Sequence, residues 1–503
     1  MRRRKTSRRK PLRAALVVFI VLIVAAAILL TYALQRAAVT PRALGPYVEH
    51  RTQGHNPAIE KAGQTVAAML TSLDRGNDDD PYVFPALKIG AQTATSASAA
   101  VAGTAIATTA GKPVYVASTA EAMRAIAQAK PGDVISFLPG TYRFEGQGSV
   151  KVTQPGTAEQ RITVTAERAG TVTLEFNMVE GFRVAAPYWT FENLSIKGIC
   201  ENHSDCEHAF HVVGRASHFI ARNNTITDFN AQFKINGEDG FMPDDGLIES
   251  NSLSNSSVRN TANPVTMMDM VAASRWVIRR NLITDFIKGD GNRVSYGAFA
   301  KGAGVDNRFE ENIVICEHKL KGLPGSRVGL SFGGGGTGKE FCRDKRCITE
   351  HDRGVMQSNL IMACSDEGIY INRGATSKLI HNTLIDTSGI AVRFPESSAD
   401  LEGNLVDGRT LARDGGIIRG DDNIESSVAA LYIGRHSVRQ LFAGASHLDL
   451  AWASPPPRRK AALPGILDLC GGPRSSQPVY GAFEDFSGCY QSSPAKVPLT
   501  VAR

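Results

Sequence analysis

The chain has 503 residues, with 56 Lys and Arg against 49 Asp and Glu and a formal net charge of +7. Eight of the basic residues and no acidic one fall within residues 1–13, which leaves 48 basic against 49 acidic residues in the remainder. The surplus charge therefore belongs to a tail, and a nucleic-acid-binding body is excluded.

Directly after the basic tail, Ala14 to Leu34 contains no charged residue. A helix of that length, at about 1.5 Å per residue, matches a hydrocarbon core of about 30 Å. It exceeds the apolar region of about 7–15 residues in a cleaved signal peptide. The reading is one transmembrane anchor at 14–34. Residues 1–13 lie in the cytoplasm and everything after Gln35 lies across the membrane, which in a bacterium is the periplasm. The expected location is the bacterial inner membrane, crossed once.

Residues 35–112 read as a juxtamembrane helix and a flexible linker. Pro57 to Leu73 has helical spacing, with Ile59, Val66, Leu70 and Leu73 as apolar positions. Asn56 stands as its cap, with Pro57 at the first helical position. NDDD at 77–80 breaks the pattern, and 91–111 is an Ala, Thr, Ser and Gly tether.

The body, 113–425, opens with the strand VYVAS, the short helix STAEAMRAIAQA, a PGD turn and the strand VISFLPGTY. Beyond this opening a phrase repeats with variations: ARNNTITDF at Asn224, IESNSLSN at Asn251, IRRNLITDF at Asn281 and FEENIVIC at Asn312. It continues as MQSNLIMAC at Asn359, LIHNTLIDT at Asn382 and LEGNLVDG at Asn404. Each Asn precedes a short alternating run of Leu, Ile, Thr or Val. A period of this size marks a solenoid, and an Asn at one fixed place predicts a ladder of amides stacked at the strand spacing of about 4.8 Å. Ala122, Met123, Ile126 and Ala129 of the short helix would lie over the open end of that solenoid, hiding unpaired strand edges. The fold class is all-β, a parallel β-helix with an N-terminal capping helix. Residues 426–453 read as helical and SPPPRRK at 454–460 as a linker. The whole of 426–503 is an extension that packs back on the solenoid.

Eight Cys beyond a membrane read as disulfides. Cys200 and Cys206 flank a short insertion, Cys342 and Cys347 flank RDKR, and Cys470 and Cys489 lie in the tail. Cys316 and Cys364 occupy nearly the same place in successive repeats. Spacing leaves the connectivity open among 105 pairings. No CxxC pair and no tightly spaced Cys/His set points to zinc.

Residues 114–142 resemble the opening of bacterial right-handed parallel β-helix proteins of the polysaccharide-lyase type. Residues 468–486, with GAFED, are similar to the way many of those proteins finish. Within that group the chain looks nearest to the chondroitinase B and alginate lyase family. The resemblance implies a polysaccharide partner and a groove on one sheet. It also implies β-elimination on a uronate, which needs a base for the proton beside the carboxylate and a cation for the developing charge. The family base is a Lys in a KS-x-x-N context. Lys301 in FAKGAGVDNRFEEN resembles that placement, eleven residues before Asn312; a solvated Lys on a turn is the structural alternative. The chain departs from the family twice. RVSYGAFAK before Lys301 lacks the acidic residues that hold calcium, so no metal or other cofactor is expected. GLSFGGGGTG replaces the segment with the family's Arg, and Arg327 lies only close by. GGGGTGK also lacks the spacing of a phosphate loop.

A second dense stretch holds CITEHDRG (Glu350, His351, Asp352) and CSDEGIYINRG (Asp366, Glu367, Tyr370, Asn372, Arg373), followed by His381 and Arg393. Paired carboxylates beside His and Arg are the parts of a lyase or a hydrolase, and a turn ladder is the structural alternative. The catalytic candidates are Lys301, His351, Asp366, Glu367 and Arg393. The substrate-binding candidates are Tyr296, Arg327, Tyr370 and Arg373. If they form one site, Asp366, Glu367, His351 and Arg393 should meet on one outer face with Lys301 in reach. The expected function is a uronate lyase. A glycoside hydrolase, an epimerase, or a non-catalytic glycan-binding or envelope-assembly protein are the alternatives.

Overall fold

The computed structural model describes residues 9–37, 39–75, 86–92, 113–461 and 463–491. Three long parallel sheets wind together from Pro113 to Glu425 as a parallel β-helix. One coil shows the plan. Ile220–Arg222 lies in the first sheet, of 12 strands, and Thr225–Thr227 in the second, of 11. Ala231–Asn236 lies in the third, of 10. Every strand pairs in parallel register with its equivalents one coil before and after, so equivalent side chains stack. In the core, Phe182, Phe210 and Phe233 stack with ring centroids 5.4 and 5.3 Å apart.

The repeated Asn residues sit at the turn from the first sheet to the second. The Nδ2 of Asn224 donates to the Oδ1 of Asn251 at 3.0 Å, and the pattern continues through Asn281, Asn312, Asn359, Asn382 and Asn404. It ends one step beyond the last copy read from the sequence, at Asn423. Each Oδ1 also accepts the backbone N–H of the preceding ladder Asn. These bonds hold the residue before each Asn from 224 to 404 in the left-handed region, with φ of 55° at Asn223 and 53° at Glu311 and Ser358. In an Asn359→Ala variant the buried Asn312 N–H and the Phe309 carbonyl lose their partner. Such a variant should lose about 3–5 kcal/mol, read as a lower urea midpoint at unchanged slope. A loss below about 1 kcal/mol would show that the ladder is not a source of stability.

The capping helix, Thr119–Ala127, is N-capped by Ser118, and it buries Ala122 and Ile126 over the first coil. Met123, expected in that stripe, is exposed, because it lies one residue off the buried face. Residues 426–453 are not the helix that the sequence suggested. Only Val428–Leu431 is α-helical, and Phe442–Gly444 pairs antiparallel with Asp449–Trp452. The apolar residues there are spent on covering the outer face of the second sheet. Leu450, Leu469, Phe483 and Phe486 bury Ile313, Ile315, Leu360 and Met362.

Before the solenoid come three helices: α1 (Arg9–Ala37), α2 (Pro41–Thr52) and α3 (Pro57–Arg75). In α3, Ala67 and Leu70 are buried whereas Ile59 and Val66 are exposed. The expected anchor falls in α1, but several of its side chains, Ile23 and Leu30 among them, lie outside the described residues. Among the described residues, no helix is long and apolar enough to cross a membrane. The NDDD break and the tether from residue 93 to 111 also lie outside the described residues.

The α2–α3 hairpin docks on the late coils through buried charge. Arg42, paired with Asp74 inside the hairpin, lies 3.8 Å from Asp386, which Arg439 holds at 2.7 Å, and His436 lies 3.9 Å from Asp74. His436 Nδ1 meets Asp407 at 2.7 Å. Four disulfides close: Cys200–Cys206, Cys316–Cys364, Cys342–Cys347 and Cys470–Cys489. Non-reducing peptide mapping should return these four linkages, and free thiols at Cys316 and Cys364 would refute the bridge between coils.

Candidate active site

Outward residues of the third sheet carry most of the chemistry. Its last six strands are Val265–Val271, Val294–Lys301, Ser326–Phe332, Ile369–Asn372, Gly389–Arg393 and Arg409–Arg413 in successive coils. The inward row runs Met270, Ala300, Phe332, Ile371 and Val392. By alternation the next residue of each strand faces out. Val271 registers with Lys301, and Gly333, which follows Phe332, stands next in the row. Asn372 then registers with Arg393, and Arg393 with Arg413. One outward row thus carries Lys301, Asn372, Arg393 and Arg413.

Lys301 stands on the floor of a cleft of about 480 Å³ between the loops at 237–242 and 336–345. Its ammonium lies over the Phe299 ring, 4.4 Å from the centroid, and among the described residues it has no carboxylate partner. Lys234 and Lys345 line the same cleft. Lys234 is held by Asp269 at 2.7 Å, and Lys345 donates to the Glu340 carbonyl at 2.7 Å. The Gly-rich segment forms one wall. Glu350 fixes it by accepting from the N–H groups of Gly334 and Thr337 and from the Thr337 hydroxyl. At Gly333 (φ 75°) a Cβ would run into the Asn372 carbonyl, so only glycine fits there.

Asp366 and Glu367 form a second group at the other end of the strands. Glu367 accepts from Arg413 at 2.9 Å. Tyr370 hydrogen-bonds Arg393, which pairs with Asp414 at 2.5 Å. Tyr296 packs on Tyr370, Val328 and Ala391. Burial, then the neighbouring Glu367 carboxylate, pushes the Asp366 carboxyl well above its usual range. The folded protein therefore keeps a proton there that the unfolded chain releases. Stability should fall as pH rises from about 4 through that raised value. Asp366→Asn should remove the fall and raise stability at pH 8 on the order of 1 kcal/mol. Urea midpoints of both proteins at pH 5 and pH 8 test this, and an unchanged pH dependence would contradict it. Beside this group α2 closes a hollow of about 630 Å³, lined by Tyr47, Glu49, Asp366, Glu367 and Arg413.

The candidates thus divide. Asp366, Glu367, Tyr296 and Tyr370 come together, whereas Arg393 stands in the Lys301 row and touches this group only through Tyr370. Lys301 does not join the carboxylates: Glu367 is level with Val328 and Tyr296, five residues short of Lys301. That offset is about 17 Å along the strand. His351 is not on the face at all. It is buried in the core, stacked on Phe332 with centroids 4.3 Å apart, and Nε2 lies 3.1 Å from Asn307 Nδ2. Burial holds its pKa down to about 3, so it is a neutral core residue. Arg327 is a strut rather than a sugar ligand, buried against Glu317 at 2.7 Å and donating to the carbonyls of Leu323 and Pro324. Arg373 lies over the Phe394 ring at 5.4 Å. His381 is buried against Arg459 at 2.9 Å. Lys234 and Lys345 escaped the sequence reading because neither lies in a repeat that stands out.

A calcium site of the lyase type needs several carboxylates beside the base. Among the described residues no metal-holding cluster lies next to Lys301, and Asp269 is engaged by Lys234, so the residues do not fit that ion.

Residues 101–270 match the family described as Pel9A-like, right handed beta helix region. No curated protein matches the chain. Among solved structures, pectate lyase Pel9A is 13% identical, with 76% of this chain and 98% of that chain covered and a TM-score of 0.49. A rhamnogalacturonan lyase is 12% identical, with coverage of 63% and 87% and a TM-score of 0.42. An alginate lyase from Paenibacillus sp. str. FPU-7 is 15% identical, with coverage of 62% and 99% and a TM-score of 0.35. The match to the Pel9A-like region takes in the 237–242 wall of the cleft but ends before Lys301, so it bears on the fold of the early coils.

Proposed function

We propose that the chain is a polysaccharide lyase that cleaves an acidic, uronate-containing glycan on the outer face of the third sheet. The observation that carries this reading is the outward row Lys301, Asn372, Arg393 and Arg413. Lys301, with no carboxylate partner among the described residues, stands in a cleft that also holds Lys234 and Lys345. An unpaired ammonium in this cleft, on a face whose later coils carry Arg393 and Arg413, suits a polymer that bears carboxylates. Lys301, once neutral, takes the proton from the carbon beside the uronate carboxylate. The electron pair forms the new double bond as the bond to the glycosidic oxygen breaks, and that oxygen leaves with the proton that Lys301 took. Lys234 and Lys345 hold the carboxylate while charge builds on it.

A second reading, hydrolysis, rests on Asp366, which keeps its proton beside Glu367. Incubation of the protein with a panel of acidic glycans separates the two. New ultraviolet absorbance together with new reducing ends supports the lyase. Reducing ends alone mean a hydrolase, and binding without either means a glycan-binding module.

The same reading places the protein at a bacterial inner membrane with its β-helix in the periplasm, anchored by 14–34. The described apolar side chains of α1, including Phe19, Leu22 and Leu29, are exposed, and four disulfides suit an oxidising compartment. Membrane fractionation with N-terminal sequencing tests the anchor, and a soluble mature chain starting near residue 36 would overturn it.

A further inference from the structure

On the same sheet, toward the N-terminal coils, Glu180, His208 and His211 bring one carboxylate oxygen and two imidazole nitrogens within 4.8 Å of one another. The carboxylate comes from one coil and both imidazoles from the next, where His208 registers with Glu180. We propose that these three residues bind a first-row divalent metal of the zinc class.

The argument starts from the protons. The Asn236 amide donates through Nδ2 to the Gly237 carbonyl, which turns its Oδ1 toward His211 Nε2 at 2.8 Å. An oxygen there only accepts, so Nε2 carries the hydrogen and the Nδ1 lone pair of the neutral ring points the other way. That lone pair faces Glu180 Oε1 at 2.6 Å. Two acceptors at hydrogen-bond distance require a cation between them. The His208 Nδ1 is buried beside the same oxygen, 3.9 Å away and without a hydrogen-bond partner among the described residues. Two imidazole nitrogens and a carboxylate oxygen are the donor set of three-ligand zinc sites that keep a further position open. The Nε2–H bond to Asn236 is the outer contact that orients a metal-bound imidazole.

The rival cation is a proton on His211. Arg183 argues against it: its Nη1 lies 3.2 Å from the same Nδ1, and an N–H donor there requires a lone pair rather than a second N–H. When the metal enters, Arg183 has somewhere to go, because its other nitrogen already pairs with Glu238.

Calorimetric titration of the metal-stripped, untagged full chain with zinc chloride tests this. One equivalent should bind. His208→Ala, His211→Gln and Glu180→Gln should each weaken binding by at least about 100-fold, and Asn236→Ala by about 10- to 100-fold. His55→Ala, on the exposed turn after α2, should bind as the unaltered chain does. Cobalt(II) should give a visible ligand-field band that the three ligand variants lose. Thermal transitions in chelator that match the parent will show that the variants are folded. Zinc binding that survives His211→Gln would overturn the proposal, as would no binding below about 1 mM; either result leaves a protonated His211 paired with Glu180. The outcome does not depend on lyase activity.

Discussion

Replacing Lys301 by alanine should lower the rate of glycan cleavage by at least about a thousandfold, the scale expected for loss of a positioned general base. The thermal transition should move by only a few degrees. The side chain is half-buried on an outer face and has no ion-pair partner among the described residues. Its one specific contact is the Phe299 ring, and such a contact contributes about 0.5–1 kcal/mol. Glu350→Ala should show the opposite pattern of causes. It frees the Gly-rich wall by removing three hydrogen bonds, so stability and activity should fall together. Initial rates on the best substrate from the glycan panel, with melting curves on the same samples, separate the two. A Lys301→Ala protein that keeps a tenth of the activity would move the chemistry away from the cleft, toward Asp366 and Glu367.

Acidification should destabilise the protein steeply before most carboxylates begin to titrate. Burial holds His351 to about 3, and burial with the nearby Arg474 and Arg459 holds His381 to about 3. In the unfolded chain both return to about 6.5. At these two positions the unfolded state therefore binds up to two more protons than the folded state between pH 6.5 and 3, so their contribution to stability falls as pH falls through that window. The proton kept by Asp366 works in the opposite direction, and the Asp366→Asn protein isolates the histidines. Each histidine contributes about 1.4 kcal/mol per pH unit. From pH 6.5 to 5 the pair should cost about 3 kcal/mol in the Asp366→Asn protein. His436 works in the other direction. Burial opposes its charge, but the hydrogen bond to Asp407 raises its pKa above the ordinary value. Its contribution is complete below about 6.5 and is lost only as pH rises through the raised value, outside this window. Urea midpoints at pH 6.5, 6.0, 5.5 and 5.0 give the slope. His351→Gln, which can still accept from Asn307, should roughly halve it, and a flat profile would mean that both rings become protonated in the folded state.

Much of the scaffold was legible in the chain because a solenoid repeats its own constraints. Each ladder Asn must meet the next, so the residue type recurs at one point of every coil, and the bridge Cys316–Cys364 could be sought at that same place. The site was only half legible. Asp366, Glu367 and Tyr370 meet because they follow one another along one strand and its approach, while register sets Arg393 beside Asn372 at the far end of that strand. His351 did not fit the reading because CITEHDRG is a polar run, yet it forms a short strand between Gly304 and Gly374 that turns the ring under Phe332. Arg327 looked outward, but the loop after Cys316 brings Glu317 back to it. Glu180, His208 and His211 were missed for a related reason: the carboxylate lies 28 residues from the first imidazole, and only the coil makes them neighbours.

The docking of α2 has a consequence for the order in which the molecule is made. Thr40 and Arg42 reach Ser388, Cys364 and Asp386, and the charge group is complete only with His436 and Arg439. At ribosomal speeds of about 5–20 residues per second, tens of seconds pass between synthesis of α2 and of its seat. The first helices to emerge are thus the last to find their place. In the interval the coils can stack one upon the next from local contacts, while the hairpin waits beside a face that does not yet exist. A chain interrupted before residue 436 would hold most of its coils and offer Asp386 to Arg42, yet leave the charge group without His436 and Arg439.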